Sequence, residues 1–242
     1  QHFTWLARYI VDKGHDVVIH LGDHWDMPSL SSYDSAVRKA AVGTAKKADI
    51  DAGNAALEAM HEVFEKSGWN PKHKILLEGN HDGFAPAGRL GRHLAENPVD
   101  DGLLHPGLFA DSWLGWKRVP FLTYVDIDDI VYGHLFPFSR NGKTTRHSLS
   151  FGAANAKTQV QVLMRSCTAG HTPGLDTAQV RTPLRTYRGI IAGSFYLHDE
   201  EYMGPGNNYW RGVLVKHRIG PDNPNHYDLM EVSIDFLRER YR

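Results

Sequence analysis

The chain has 242 residues, 41% of them hydrophobic and 23% charged, with 27 Lys plus Arg against 28 Asp plus Glu. That balance is the composition of a folded globular protein and excludes disordered or collagen-like classes. It also excludes recruitment of nucleic acid or an anionic membrane by an overall field, so a polyanion would have to meet a local basic patch. The single cysteine, Cys167, cannot close an internal disulfide, which fits a reducing compartment, and its apolar neighbours predict burial. No apolar run reaches the ~18 residues of a membrane span and no leader pattern opens the chain, so the expected location is the cytoplasm, without a membrane partner. One large α/β domain over residues 1–242 is the expected organisation.

Phe3, Leu6, Ala7, Ile10 and Val11 recur at helical spacing and Lys13-Gly14 stops them, so the chain opens on a helix. Val17 to Leu21 reads as a buried parallel strand, and the crossover it needs predicts a further strand before Gln1. Met27 to Asp34 is loop-like, a basic Ala-rich run leads into a helix over about Asp49–Glu65, and Trp69-Asn70-Pro71 breaks it before a strand at Lys74–Leu77. This is βαβ order. Pro86, Pro98 and Pro106 then fragment the chain around a helix at Arg89–Glu96. Val119–Tyr124 and Asp129–Tyr132 read as strands joined by a turn at Asp126-Ile127-Asp128. A helix over Ala153–Met164 and a short strand at Cys167–Ala169 follow. Strands at Arg185–Phe195, Trp210–Arg218 and Tyr227–Ile234 suggest a second, largely antiparallel sheet.

Four of these predicted strands end in polar residues: Asp23 in Gly22-Asp23-His24-Trp25-Asp26, Asn80 and His81 in Gly79-Asn80-His81-Asp82, His134 after Gly133, and His171 after Gly170. Ligands of open α/β sheets bind at the carboxyl ends of strands, so these clusters point to one shared site. Carboxylate, amide oxygen and imidazole together suit divalent Mn, Fe, Zn or Ni and are too rich in nitrogen for calcium. Of the 15 histidines, His2, His15, His73 and His217 stand in polar contexts and read as surface residues.

The ordered set GDHWD, GNHD, YGH and GHTP resembles the motifs of the calcineurin-like metallophosphoesterase superfamily, and DMPSLSSYD and YWRGVLVKH resemble its bacteriophage and prophage members. The resemblance implies a four-layer α/β/β/α sandwich with two mixed sheets, and metal-dependent hydrolysis of a phosphate ester, diester or monoester. Asp23 would bridge two metal ions, Mn foremost. Asn80, His134 and His171 would complete the second ion's set. His81 would face the leaving group, with Asp82 orienting its ring, while a metal-activated hydroxide attacked phosphorus in line. The substrate would be a phosphate ester, with nucleotides and nucleic acids among the candidates, and the compartment a bacterial host's cytoplasm.

Two departures limit that expectation. The family's DxH motif is absent from residues 1–242, and GHxH reads Gly170-His171-Thr172-Pro173, where proline offers no ligand atom. Asp23 alone of the usual first-site ligands remains, so the chain would hold one ion rather than two and be slow or inactive; a binding or scaffold protein is the alternative. His24, Asp26 and Asp176 are the candidate substitutes or supporting residues. Each motif residue has a plainer reading. Asp23 could cap a turn, Asn80 could occupy a left-handed turn, and His81 and His134 could be structural. Tyr209, Trp210 and Arg211 read as core packing before a base-stacking platform, Gly204 to Asn208 as a turn, and Arg38, Lys39, Lys46 and Lys47 as a solvated helix face.

Overall fold

A computed structural model describes residues 1–30, 42–97, 104–136, 155–197, 209–218 and 227–242. The expectations for Ser31 to Asp34, Arg38, Lys39, Pro98, Ala153 and Gly204 to Asn208 lie outside them. The protein is a mixed α/β fold in two compact units, one built on Phe3–Thr123 and one on Tyr124–Arg240. Among the described residues no helix is long and apolar enough to cross a membrane.

The first unit opens with α1 (His2–Lys13), which buries Phe3, Trp5, Ala7, Tyr9 and Ile10. Gly14 ends it at φ 66°, ψ 35°, a left-handed cap that glycine adopts without steric cost. Strand β1 (Val17–His20) then pairs in parallel with β2 (His73–Leu77), and β2 with β3 (Lys117–Val119). In this sheet only β2 has a buried run, its last four residues, as the middle strand of the order β1-β2-β3. The expectation of a buried β1 is corrected: at the edge of this sheet its residues are exposed or half-buried.

Between β1 and β2 runs α2 (Val42–Ser67), longer at both ends than its apolar spacing predicted. Leu57, Met60 and Phe64 recur along one stripe and are fully buried. His61 lies beside them; its Nε2 accepts from Trp116 Nε1 at 3.2 Å and sits 3.3 Å from Lys74 Nζ. Burial, with the Lys74 charge adding to it, pushes the His61 imidazole down to about 4. Helix α3 (Arg89–Glu96) has the predicted bounds.

The predicted strand Val119–Tyr124 stops at Val119. Pro120 has no N–H for a ladder and Leu122 stands at φ 65°, so the chain turns there.

In the second unit, β4 (Val125–Ile127) and β5 (Ile130–Gly133) form a tight hairpin. Its turn is Asp128-Asp129, at φ 53° and 61°, which places the connection two residues beyond the start of the predicted turn. A two-residue hairpin loop of type I′ needs positive φ at both central positions, and aspartate tolerates it. Helix α4 (Ala156–Leu163) is capped by Asn155, whose Oδ1 accepts from Thr158 N at 2.9 Å. It leads to β6 (Ser166–Ala169), β7 (Leu175–Arg181) and β8 (Thr186–Ala192), giving a five-stranded sheet ordered β4-β5-β6-β8-β7.

This sheet is mixed, not largely antiparallel: β5, β6 and β8 run parallel, and only the outer pairs are antiparallel. Phe136, Val160, Cys167 and Ala169 form its core, with the Cys167 thiol pushed up to about 12 by burial. Strands β9 (Gly212–Arg218) and β10 (Tyr227–Ser233) pair as a separate antiparallel ribbon. Lys216 fastens the ribbon to the sheet through Tyr132 Oη at 3.0 Å and Thr168 Oγ1 at 2.5 Å. The strand predicted through Ile234 ends at Ser233, whose hydroxyl accepts from Phe236 N and starts α5 (Ile234–Tyr241).

Candidate functional site

The first cluster stands where β1 and β2 end. Gly22 at φ 100° and Asp23 at φ 54° turn the chain sharply after β1. A non-glycine residue in that region costs about 1–3 kcal/mol unless its surroundings hold it. Here His81 N donates to Asp23 Oδ1 at 2.9 Å. The two motifs interlock so closely that a Cβ on Gly79 would lie 1.9 Å from Asp23 Oδ1. Glycine at position 79 is therefore what admits the Asp23 carboxylate, and the glycine of GNHD acquires a steric reason.

Asp82 is fully buried, and its carboxylate accepts from Gly79 N at 2.7 Å, His24 N at 2.9 Å and Trp25 N at 3.3 Å. It staples the two strand-end turns together through their backbones. The expectation that Asp82 orients the His81 ring is corrected. Asp26 does so, because His81 Nδ1 meets Asp26 Oδ1 in a short contact. That hydrogen bond, reinforced by the nearby positive groups, holds the Asp26 carboxyl below the usual carboxylate range. On the other side of the ring His81 Nε2 lies 3.1 Å from Arg89 Nη2. A guanidinium can only donate, so in this arrangement Nε2 accepts and Nδ1 carries the proton to Asp26. Arg89 also donates Nη1 to Asp26 O at 2.8 Å and Met27 O at 3.3 Å, while its backbone N donates to Asn80 O at 2.6 Å.

Both ring nitrogens of His24, the first candidate substitute ligand, are hydrogen-bonded. Nε2 lies 2.9 Å from Gly53 O, a pure acceptor, so it carries the proton. Nδ1 then accepts from His20 Nε2 at 3.2 Å, and His20 Nδ1 accepts in turn from Gly22 N at 3.2 Å. Burial pushes the His24 imidazole down to about 4, which keeps this chain of donors neutral. Trp25 locks the same turn onto α2: its indole fills a notch where a Cβ on Gly53 would lie 2.1 Å away, and Nε1 donates to Asn54 Oδ1 at 3.2 Å.

Beneath the turns lies an ionic core. Arg118 donates to both oxygens of buried Asp111, at 2.7 and 2.6 Å, and its Nη1 lies 3.3 Å from buried Glu78. Burial opposes the Arg118 charge, but the Asp111 hydrogen bond and the surrounding carboxylates outweigh it and raise its basicity further. Its guanidinium also stacks 5.0–5.5 Å from the rings of Trp25, Phe84 and Phe109. Glu78 accepts in turn from Phe121 N at 3.0 Å and Phe84 N at 3.3 Å, which fixes the chain on either side of GNHD.

The second unit places its two histidines together. His134 follows β5, His171 follows β6, and Gly170 N donates to His134 O at 3.0 Å. His171 stands at φ 62°, the second strained candidate ligand. His134 Nε2 and His171 Nδ1 are 3.3 Å apart. Two imidazole nitrogens each ~2.05 Å from the centre of a tetrahedron would be separated by about 3.3 Å, so the pair fits one edge of a metal's coordination shell. Asp176 Oδ2 accepts from Ala156 N at 2.8 Å at the start of α4. Trp210 lies against Gly193 and Gly212, consistent with packing, and Lys47 pairs with Asp51 on the exposed face of α2.

The reading of residue types missed Arg89 and the Arg118–Asp111–Glu78 core. Arg89 carried one signal, its place at the first turn of a predicted helix shortly after GNHD. Comparison with known proteins finds no family model and no curated protein that matches the chain.

Proposed function

We propose that the protein is a metal-dependent phosphoesterase of calcineurin-like type, with an α/β/β/α layering of its sheets and helices. The carrying observation is that His134 Nε2 and His171 Nδ1, each just past the end of a parallel strand, stand 3.3 Å apart, the separation of two ligands on one metal ion. In this reading His134 and His171 would supply imidazole nitrogens to a metal ion and Asp23 its carboxylate. Asn80 would add its amide oxygen, and Mn suits this mixture of oxygen and nitrogen best, with Fe, Zn and Ni as alternatives.

A divalent ion in such a set supplies an acidified water and an electrophile for a phosphoryl group. The chain's own residues supply the rest. Asp26 fixes the His81 ring through Nδ1, which leaves Nε2 as the ring atom that would face the substrate. Asp82 and the Gly79 contact hold the two turns in register, so Asp23 and His81 keep a constant separation.

Purified protein should bind Mn and hydrolyse p-nitrophenyl phosphate or its bis-ester only when Mn is present. His81→Ala should abolish turnover while leaving Mn binding intact, and Asn80→Ala and His134→Ala should each weaken Mn binding. A protein that binds no Mn, Fe, Zn or Ni would sink the proposal.

A second reading rests on Pro173, which stands where the motif's last histidine would be. Under it the fold binds a phosphorylated partner without turning it over. Mn binding without hydrolysis, together with turnover gained in Pro173→His, would favour that reading.

A further inference from the structure

Arg89 and Arg118 are both drawn into the first unit's motifs, but their charges are treated differently. Arg118 is neutralised by a two-oxygen bond to Asp111 and by Glu78. Among the described residues Arg89 has no such partner at short range: Nη1 is held by two backbone carbonyls, and the nearest carboxylate oxygen, Asp26 Oδ1, is 3.9 Å away. Nη2 points at His81 Nε2 instead, 3.1 Å away. A neutral imidazole compensates a guanidinium charge poorly, and a charge-assisted bond to an anionic oxygen is about twice as strong. The corner is also reachable, since the side chains of Arg89, His81 and Asp26 keep 17%, 26% and 59% of their surface.

We propose that Arg89 is the substrate-anion clamp of this site, taking a non-bridging phosphoryl oxygen on Nη2. The inference rests on the phosphoesterase reading and names the group that recognises the substrate. The carbonyls of Asp26 and Met27 hold Nη1 and thereby aim the other arm of the fork. When a phosphoryl oxygen arrives, Nη2 turns to it from the imidazole. His81 Nε2 is thereby unmasked beside the bound phosphoryl group. Arg89 thus couples recognition to the exposure of Nε2, and a ligand without an anionic oxygen leaves the ring masked.

The test is the affinity for inorganic phosphate, measured by calorimetry with and without Mn on wild type, Arg89→Met, Arg89→Lys and Arg92→Met. A hydrogen bond to a charged group is worth a factor of about ten to a hundred in affinity. Arg89→Met should lose that factor, Arg89→Lys should recover part of it, and added guanidinium ion should restore phosphate binding to Arg89→Met. Arg92 lies on the same helix and, among the described residues, bonds Ala87 O, so Arg92→Met should bind phosphate as wild type does. In turnover, Arg89→Lys should raise KM more than it lowers kcat.

Equal phosphate affinity in wild type and Arg89→Met overturns the proposal, as does an equal loss in Arg92→Met or a wild type that binds no phosphate in either condition. Phosphate binding that depends on Arg89 in a protein that takes no metal would uphold the clamp and remove the metal reading. Normal Mn binding with an indifferent Arg89→Met would do the reverse.

Discussion

Replacing Gly79 by alanine tests the interlock of the two strand-end motifs with a single methyl group. The backbone at Gly79 is not in the left-handed region, so the effect is steric alone. The new Cβ would lie 1.9 Å from Asp23 Oδ1 and 2.4 Å from Asp23 N, and ordinary contact begins at 3.4 Å, so the carboxylate must retreat by about 1.5 Å. A retreat of that size breaks the 2.9 Å bond from His81 N. Losing a hydrogen bond to a charged acceptor costs about 1.5–3 kcal/mol, and overpacking adds about 1–3 kcal/mol. Urea unfolding of Gly79→Ala should therefore show a loss of about 2.5–6 kcal/mol, with Mn affinity falling alongside. Gly174 is the control, because a Cβ there meets nothing within 4 Å. Gly174→Ala should change stability by less than about 0.5 kcal/mol, as surface substitutions do. A Gly79→Ala protein as stable as Gly174→Ala, with unchanged Mn binding, would refute the steric account of Asp23.

Asp26 and Asp82 should separate in function and stability. Asp26→Asn, at an exposed side chain, should lower kcat at least tenfold with little loss of stability, whereas Asp82→Asn should cost about 2–4 kcal/mol because three N–H groups lose their anionic acceptor. Denaturant titration beside kinetics distinguishes them, and a stable Asp82→Asn would contradict the staple. Arg118→Met leaves Asp111 and Glu78 buried without their cation and should destabilise by about 3–5 kcal/mol in urea; a loss below about 1 kcal/mol would show that the core does not depend on the charge. His61 titrates at about 4 in the fold against 6.5 when free, so the unfolded chain binds more protons between those values. Stability should rise with pH across that window and fall by up to about 3 kcal/mol as pH drops from 6.5 to 4. His61→Gln keeps an acceptor for Trp116 and Lys74 without a proton to gain. Equal pH slopes in wild type and His61→Gln would remove His61 as the cause.

Where a side chain's role followed from local pattern, the residues announced it. Lys13-Gly14 ends α1 because a left-handed cap wants glycine, and α3 has its predicted bounds because its apolar spacing is undisturbed. The strand-end positions of Asp23, His134 and His171 were legible for the same reason, since each follows a short apolar run. What was hidden depends on partners distant in sequence. The exchange of roles between Asp26 and Asp82 is decided by which carboxylate is buried against three backbone N–H groups, a fact of chain crossing 55 residues and more apart. Strand β7 escaped notice because none of its residues is buried, so an edge strand carried no apolar signature. The parallel order of β5, β6 and β8 was misread because strands buried by neighbours on both sides show no direction in their composition.

The notch at Gly53 acts as a keyway for α2. Trp25 is the key: rolling the helix by one residue, or sliding it by a turn, would drive a neighbour's Cβ into the indole, and the bonds to Gly53 O and Asn54 Oδ1 would part together. The position of Asp23 is therefore indexed to one point on a 26-residue helix and not to its ends. Changes in the length or pitch of α2 beyond that point can be absorbed without being felt at the carboxylate. The exposed face of the helix is free to diversify while the strand-end turn keeps its place.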